Sequence, residues 1–170
     1  MRILVIRHAI AEPRIEEGGT QPDDRLRQLT PKGRRRMKRG VRGLRQIEPR
    51  IEILASSPFA RAAQTADIVA RGYEGLEITN VGELAAGGGV DRLMDWLRSV
   101  EMDGTVALVG HEPDLSTFVS YLLTGHERSV ITLGKGGACL LDVQSGVAHG
   151  AAQLLWLLTP RKLRRLGRAR

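Results

Sequence analysis

Hydrophobic and polar positions along the chain predict strands that alternate with helices. Residues 2–6 are almost continuously apolar and rich in β-branched side chains, as in strands buried on both faces of a parallel sheet. Thr30-Pro31 is typical of a helix start, and Met37, Val41 and Leu44 then recur at helical spacing. The polar segment 10–29 between them predicts a long loop, a kind of segment that is often functional or mobile.

The same order continues along the chain. Further strands are predicted at 51–55, 76–81 and 105–109, and helices at 59–71, 90–100 and 113–123. The runs 138–143 and 153–158, joined through the turn residues 145–146, predict a terminal hairpin or edge pair. We therefore expect an α/β fold: a three-layer, open and mostly parallel sheet with helices on both faces and an antiparallel carboxy-terminal edge.

Length and charge suggest one domain over residues 1–160 and a basic tail over 161–170. The 170-residue chain carries a formal net charge of +7, with much of the excess in 32–45 and 161–170. An acidic partner is plausible on these grounds. Nucleic acid is disfavoured, because no aromatic residues are interleaved with the charges, and we interpret both runs first as solvated faces.

Composition and the amino-terminal sequence indicate where in the cell the protein is expected. Hydrophobic residues make up 42% of the chain, but no run approaches the roughly 20 residues of a membrane span, so no membrane partner is expected. The amino terminus lacks a cleavage pattern of a secretory signal, which favours the cytoplasm. Cys139 is the only cysteine and is interpreted as a small buried hydrophobe.

Polar residues follow the predicted strands at the points where those strands end. Because ligands of open parallel sheets bind at the carboxyl ends of the strands, these residues are expected to share one pocket. They are Arg7 and His8, Ser57 with Arg61, Glu83, and His111 after Gly110. His126 and His149 lie outside any such motif and are interpreted as ordinary histidines.

Two guanidiniums in such a pocket repel a divalent cation and fit the oxygens of a phosphate or sulfate ion. We therefore predict an anion in the active site, no metal and no cofactor. An imidazole among cations stays neutral at physiological pH, so His8 or His111 could attack phosphorus. Glu83 is the candidate proton donor, since it follows a strand at a matching depth.

These residues also resemble the motifs of the histidine phosphatase superfamily. Arg7-His8 resembles its first signature, and the blocks beginning at Ser57 and at Gly110 resemble its second and third. The resemblance implies that His8 is the nucleophile, that Arg7, Arg61 and His111 complete the phosphate pocket, and that Glu83 aligns with the proton donor. The chain length and the block around Thr30 look most like SixA-type phosphohistidine phosphatases.

The resemblance also bears on the substrate. Many relatives insert a helical lid near the acid, whereas residues 84–89 are short here, so an open site is expected. An open site suits a phosphohistidine on a protein, with the loop 10–29 and the basic helix as candidate substrate-facing surfaces. Two alternatives remain: a phosphomonoesterase for nucleotides or sugar phosphates, and a non-catalytic module that binds phosphate or nucleic acid.

Overall fold

A computed structural model of the chain describes residues 1–14, 23–100, 103–144 and 146–168. Within these residues a mixed sheet lies between two layers of helices. The strands are β1 (Arg2–Arg7), β2 (Ile53–Ser56), β3 (Ile78–Asn80), β4 (Thr105–Gly110), β5 (Ala138–Val143) and β6 (Ala152–Leu158). The helices are α1 (Pro31–Ile47), α2 (Ala60–Gly72), α3 (Val90–Ser99), α4 (Asp114–Thr124) and α5 (Pro160–Leu166), with 3₁₀ turns at Asp24–Leu26 and Gly82–Leu84.

The strand order in the sheet is β3-β2-β4-β1-β5-β6. Strands β1, β2, β3 and β4 are parallel neighbours, whereas β5 and β6 run antiparallel at one edge. In the register of the central pair, Arg7 lies opposite Gly110, so β1 and β4 end at the same level. The predicted parallel sheet with an antiparallel edge is therefore confirmed.

The side chains of the sheet alternate between two hydrophobic clusters. In β1, Leu4 and Ile6 pack against α1, α2 and α5, while Ile3 and Val5 pack against α3 and α4. All four side chains are fully buried, as expected for a strand covered on both faces. This confirms that helices cover both faces of the sheet.

Helix α1 begins where the sequence predicts. The Thr30 hydroxyl accepts a hydrogen bond from the Gly33 N–H at 2.8 Å and caps the first turn. The Thr30 N–H in turn donates to the Ile10 carbonyl at 3.0 Å. A methyl group at Gly33 would lie 2.1 Å from that same carbonyl oxygen, so the absence of a side chain lets the helix start approach the segment after β1.

The predicted strand at 76–81 is shorter than expected, because β3 is an edge strand that pairs only with β2 over three residues. Of the long predicted loop 10–29, residues 15–22 lie outside the described residues, and the remainder includes an isolated bridge between Ala11 and Leu29. Ser145 of the predicted hairpin turn is also outside them. No helix in the described ranges is long and apolar enough to cross a membrane.

Most of the segment predicted as a basic tail forms helix α5. Thr159 caps its start, Pro160 occupies the first turn, and Leu163 is buried against α1 at 2% exposure. Two leucines, Leu163 and Leu166, among basic residues give too short a periodic signal to predict a helix from sequence. Its docking depends on Gly43 of α1, where a methyl group would lie 2.0 Å from the Leu163 carbonyl oxygen.

This contact predicts opposite effects of two substitutions in α1. Gly43→Ala should lower the free energy of unfolding by about 1–3 kcal/mol, because the methyl group forces α5 away from α1. Gly40→Ala is the matched control: nothing lies within 4 Å of its added methyl group. It should raise the free energy of unfolding by about 0.5–1 kcal/mol, since alanine favours the helix. Urea denaturation measures both values, and equal stability of the two variants would contradict the α1–α5 packing.

Candidate active site

The residues that the sequence places after strands lie at the carboxyl edge of the sheet. Arg7 ends β1 and His8 follows it, Ser57 follows β2, and His111 follows β4. Arg61 lies in the first turn of α2, directly after the β2 loop. Strand order explains the convergence, because β4 lies between β2 and β1.

The two histidines lie side by side and away from solvent. The ring centroids of His8 and His111 are 5.2 Å apart, and the Phe59 ring lies 5.0 Å from His111. Exposure is 5% for His8 and 2% for His111. In contrast, His126 and His149 are exposed and belong to other parts of the molecule.

Their environment keeps both imidazoles neutral. Burial is the largest influence and, with the charges of Arg61 and Arg7, lowers the pKa of His8 to about 4, although the hydrogen bond to the Ala9 carbonyl opposes this. Burial followed by the charges of Arg61 and His8 lowers the pKa of His111 to about 3. At neutral pH each ring therefore has one nitrogen with a free lone pair.

One hydrogen bond determines which nitrogen of His8 has that lone pair. The Nδ1 atom lies 2.7 Å from the Ala9 carbonyl oxygen. A carbonyl can only accept, so Nδ1 carries the hydrogen and the Nε2 atom is unprotonated. His8 thus presents a nucleophilic Nε2 atom.

Ser57 lies beside the second histidine. Its hydroxyl oxygen is 2.8 Å from His111 Nε2 and accepts a hydrogen bond from the Phe59 N–H at 3.2 Å. When the hydroxyl donates its hydrogen to Nε2, the proton of His111 lies on Nδ1. That Nδ1 atom is buried and has no partner among the described residues.

The two arginines also have unused donors. Arg7 donates from Nη1 to the Leu133 carbonyl at 2.7 Å, and Arg61 donates from Nη1 to the Asp24 carbonyl at 2.7 Å. The Nε atoms of both arginines are buried without a partner in the described part of the chain. Because buried polar groups are normally satisfied, these donors and His111 Nδ1 point to an anion that completes the site.

Asp24 is a site residue that the sequence analysis did not single out. Its Oδ2 atom lies 3.0 Å from Arg61 Nη2. Burial alone would raise the pKa of Asp24, but the charges of Arg61 and Arg27 outweigh it and hold the pKa below its ordinary value. The only sequence signal was its position in the loop 10–29, which contains several acids and gives no reason to choose one.

Backbone contacts hold the segment that carries His8. The His8 N–H donates to the Gly110 carbonyl at 3.0 Å, and the Ala9 N–H donates to the Thr65 hydroxyl at 3.0 Å. From the other side, the Gly136 N–H donates to the His8 carbonyl at 3.1 Å. Thr65 and Gly136 were not predicted as site residues, because their role depends on contacts between distant segments.

Glu83 lies at the same edge but is not tied to the histidines. It belongs to the 3₁₀ turn Gly82–Leu84 and is half-buried. The turn reaches back to β4, where the Leu84 carbonyl oxygen would lie 3.3 Å from a methyl group at Gly110. In the described ranges, no hydrogen bond joins its carboxylate to the other candidate residues. The connection from β3 to α3 contains this turn and no lid helix.

The charges of the site decide which ions it attracts. Two guanidiniums and two neutral imidazoles form a cationic pocket that attracts an oxyanion and repels a divalent cation. No group of His, Cys, Asp and Glu in the described residues is arranged to hold a metal ion. Cys139 is fully buried, and burial raises its pKa to about 12, as expected for a residue of the core.

Comparison with known proteins connects the fold to a family. The model of the histidine phosphatase superfamily (branch 1) matches residues 3–86. An uncharacterised protein of a Picosynechococcus species is 32% identical over 171 residues, which cover 96% of this chain and 99% of that protein.

Solved structures with different substrates share the fold. The protein histidine phosphatase SixA, solved with tungstate, is 22% identical with a TM-score of 0.79, and the match covers 96% of this chain and 99% of that one. The α-ribazole phosphatase of Shigella flexneri is 15% identical with a TM-score of 0.74, and the match covers 94% of this chain and 97% of that one.

The sheet and the arrangement of its helices are those of the phosphoglycerate-mutase-like class of phosphatases. The chain belongs to the histidine phosphatase superfamily, and its fold is SixA-like. Members of this superfamily are phosphatases, which supports hydrolase activity for this chain.

Proposed function

We propose that the chain is a metal-independent phosphatase that forms a phosphohistidine on His8 and acts on phosphohistidine in proteins. The observation that carries the proposal is the pairing of two buried, neutral imidazoles with two guanidiniums whose Nε atoms have no partner among the described residues. Such a group of donors beside an unprotonated nitrogen suits a phosphoryl group.

The residues take the following roles in this proposal. Arg7 and Arg61 bind the phosphoryl oxygens through their free Nε donors, and His111 donates from Nδ1. Ser57 acts as a positioning residue, since its hydroxyl holds the proton of His111 on the nitrogen that faces away from it. A phosphate or sulfate ion should occupy the same position in the absence of substrate.

The reaction has two displacements. His8 Nε2 attacks phosphorus, an N–P bond forms, and the bond from phosphorus to the leaving group breaks with its electron pair leaving on that group, which takes up a proton. Water then attacks phosphorus, loses a proton, and the electron pair of the N–P bond returns to His8. The transition state carries its charge on the phosphoryl oxygens, where the guanidiniums stabilise it.

Glu83 is the proposed proton donor for the leaving group. Its placement on the turn that reaches β4 supports this role, although its carboxylate has no hydrogen bond to the site residues. A phosphohistidine substrate requires little from the acid, because a protonated imidazole departs readily. Glu83→Gln should therefore impair phosphate esters much more than phosphohistidine.

The short connection between β3 and α3 supports a protein substrate. No lid helix in this connection encloses a small metabolite, so a side chain of another protein could reach the site from this side. The fold shared with the SixA protein histidine phosphatase, which binds the oxyanion tungstate, adds support. The fold shared with α-ribazole phosphatase supports the alternative, a phosphomonoesterase for small esters.

A substrate panel tests the proposal. A phosphohistidine peptide, a phosphorylated sugar, a nucleotide and p-nitrophenyl phosphate are compared by kcat/KM, each with and without EDTA. We expect the highest kcat/KM for the phosphohistidine peptide and no effect of EDTA. A soluble ester preferred by orders of magnitude would favour the phosphomonoesterase, and loss of activity in EDTA that zinc restores would contradict metal independence.

The lowered pKa of His8 predicts an unusual pH profile. A protonated imidazole has no lone pair, so activity is present above the pKa of the folded protein and is lost below it. With that pKa at about 4, kcat/KM should reach half its plateau near pH 4 once the second ionisation of the substrate's phosphoryl group, at about pH 6, is divided out. Circular dichroism at each pH verifies that the protein stays folded. A half-point close to the ordinary histidine value of about 6.5 would contradict the burial of His8 in the free enzyme.

A further inference from the structure

Two basic segments that are far apart in the sequence form one surface. Helices α1 and α5 pack together through Gly43 and Gly167, where added methyl groups would lie 2.0 Å from the Leu163 carbonyl oxygen and 2.4 Å from the Arg39 carbonyl oxygen. We define the α1–α5 basic face by cations of both helices, of the residues directly after α5 and of the loop before β5. These are Arg36, Arg39, Lys135, Arg161, Arg164 and Arg168.

The charges of this face are not neutralised within the described chain. Neither α1 nor α5 contains an acidic residue. None of the six cations forms a salt bridge among the described residues, although other surface arginines do. The positive neighbours also act on each other: burial first, then Arg36, Arg168 and Arg39, lower the pKa of Arg164. Such a concentration of one sign of charge attracts an anionic partner.

The face begins beside the active site. A groove is lined by Ala9 and Ile10, which follow His8, and by Arg36, Lys135 and Arg164 of the basic face. Gly136, next to Lys135, donates its N–H to the His8 carbonyl at 3.1 Å. Helix α1 as a whole is about 25 Å long, given its 17 residues and the usual rise of a helix, and Arg36 at the groove lies in its second turn. A molecule whose phosphoryl group reaches His8 can therefore contact the face at the same time.

We infer that the α1–α5 basic face docks an acidic surface of the phosphorylated protein whose phosphohistidine enters the active site. This inference rests on the proposed function and adds the kind of partner that the enzyme selects. Helices α1 and α5 contain no aromatic residue on which nucleic-acid bases could stack. The face therefore favours binding of acidic side chains over binding of single-stranded nucleic acid. Charges at the edge of an interface mainly accelerate association, and salt weakens them.

The test uses two fluorescent phosphohistidine peptides that differ only in a segment of six acidic or six neutral residues. In the face variant, Arg39→Glu, Arg161→Glu and Arg168→Glu are combined. The control variant combines Arg50→Glu, Arg92→Glu and Arg128→Glu, which are exposed, lie outside the face and change the net charge equally. Binding of the dephosphorylated peptides is measured by anisotropy, and turnover is compared with that of p-nitrophenyl phosphate.

We expect wild type to bind the acidic peptide at least tenfold more tightly than the neutral one. The face variant should lose this preference, and its kcat/KM for the acidic peptide should fall at least tenfold relative to that for p-nitrophenyl phosphate. The control variant should keep the preference. Equal losses in the two variants, or equal binding of the two peptides to wild type, would overturn the inference.

Two further results separate this inference from the proposed function. If the acidic peptide binds through the face but its phosphohistidine is not hydrolysed, the docking face stands and the proposed substrate is wrong. A 20-base-pair DNA duplex is measured on the same variants. If the duplex binds through the face more tightly than the acidic peptide does, nucleic acid is the partner and the inference is wrong.

Discussion

His8→Ala should lower kcat by about a thousandfold or more for every phosphorylated substrate, because the covalent path through the Nε2 atom is lost. Wild type that is quenched during turnover of a ³²P-labelled substrate should carry label that is stable in base and released by acid. This lability is the property of a phosphorus–nitrogen bond, whose nitrogen becomes a better leaving group when it is protonated. The variant should carry no such label.

The matched control for His8 is His126→Ala, since His126 is exposed and outside the site. It should keep both turnover and label. The geometry also predicts the labelled residue: His8 Nε2 is free, whereas His111 Nε2 lies 2.8 Å from the Ser57 hydroxyl. Label that maps to the peptide containing His111, or turnover by His8→Ala near the wild-type rate, would show that the nucleophile is assigned wrongly.

Arg61→Gln should lower kcat/KM by about 10²–10³-fold, the usual effect of removing one donor to a developing oxyanion. Arg61→Lys keeps the charge but loses the planar pair of donors, so it should recover only part of the activity. The Asp24 carboxylate, 3.0 Å from Arg61 in the wild type, would lose this partner beside the phosphoryl group and keep only Arg27 at 2.9 Å and Arg14 at 3.3 Å as counter-charges. Steady-state kinetics on purified variants measures these effects.

The double variant Arg61→Gln/Asp24→Asn separates the lost donor from the exposed carboxylate. It should be more active than Arg61→Gln alone, because the repulsion between Asp24 and the phosphoryl group is removed. Arg71→Gln in the same helix is the control, since Arg71 is exposed and pairs with Asp67 at 3.1 Å. Equal activity of the single and double variants would show that Asp24 does not act on the site through its charge.

The sequence allowed most residues of the candidate site to be chosen by their positions after predicted strands. His8, Ser57 and His111 each follow an apolar run that forms a strand, and parallel strands end at one edge of the sheet. Asp24 and Thr65 were not predictable in the same way. Asp24 contacts Arg61, and Thr65 accepts a hydrogen bond from the Ala9 N–H. Both contacts join segments that are distant in the sequence, so no local sequence pattern predicts them.

The packing of α5 against α1 is the part of the fold that local sequence patterns did not predict. Sequence patterns predicted the capped start of α1, because Thr30, Pro31 and the apolar spacing act within a few residues. They left 161–170 as a tail, since Leu163 and Leu166 within one basic turn and a half could not reveal a partner helix. Gly43 of α1 was the corresponding feature, but its meaning depends on Leu163, which lies far along the chain.

By itself, the sequence determined the order and kind of the elements from β1 to β6, the capped start of α1 and the residues at the strand ends. These follow from side-chain periodicity and hydrogen bonds between near neighbours. Only the tertiary structure decided the tautomer of His8, the pairing of Arg61 with Asp24 and the union of two basic segments in one face. Each of these requires atoms from different segments to meet, and their distances follow from packing in three dimensions.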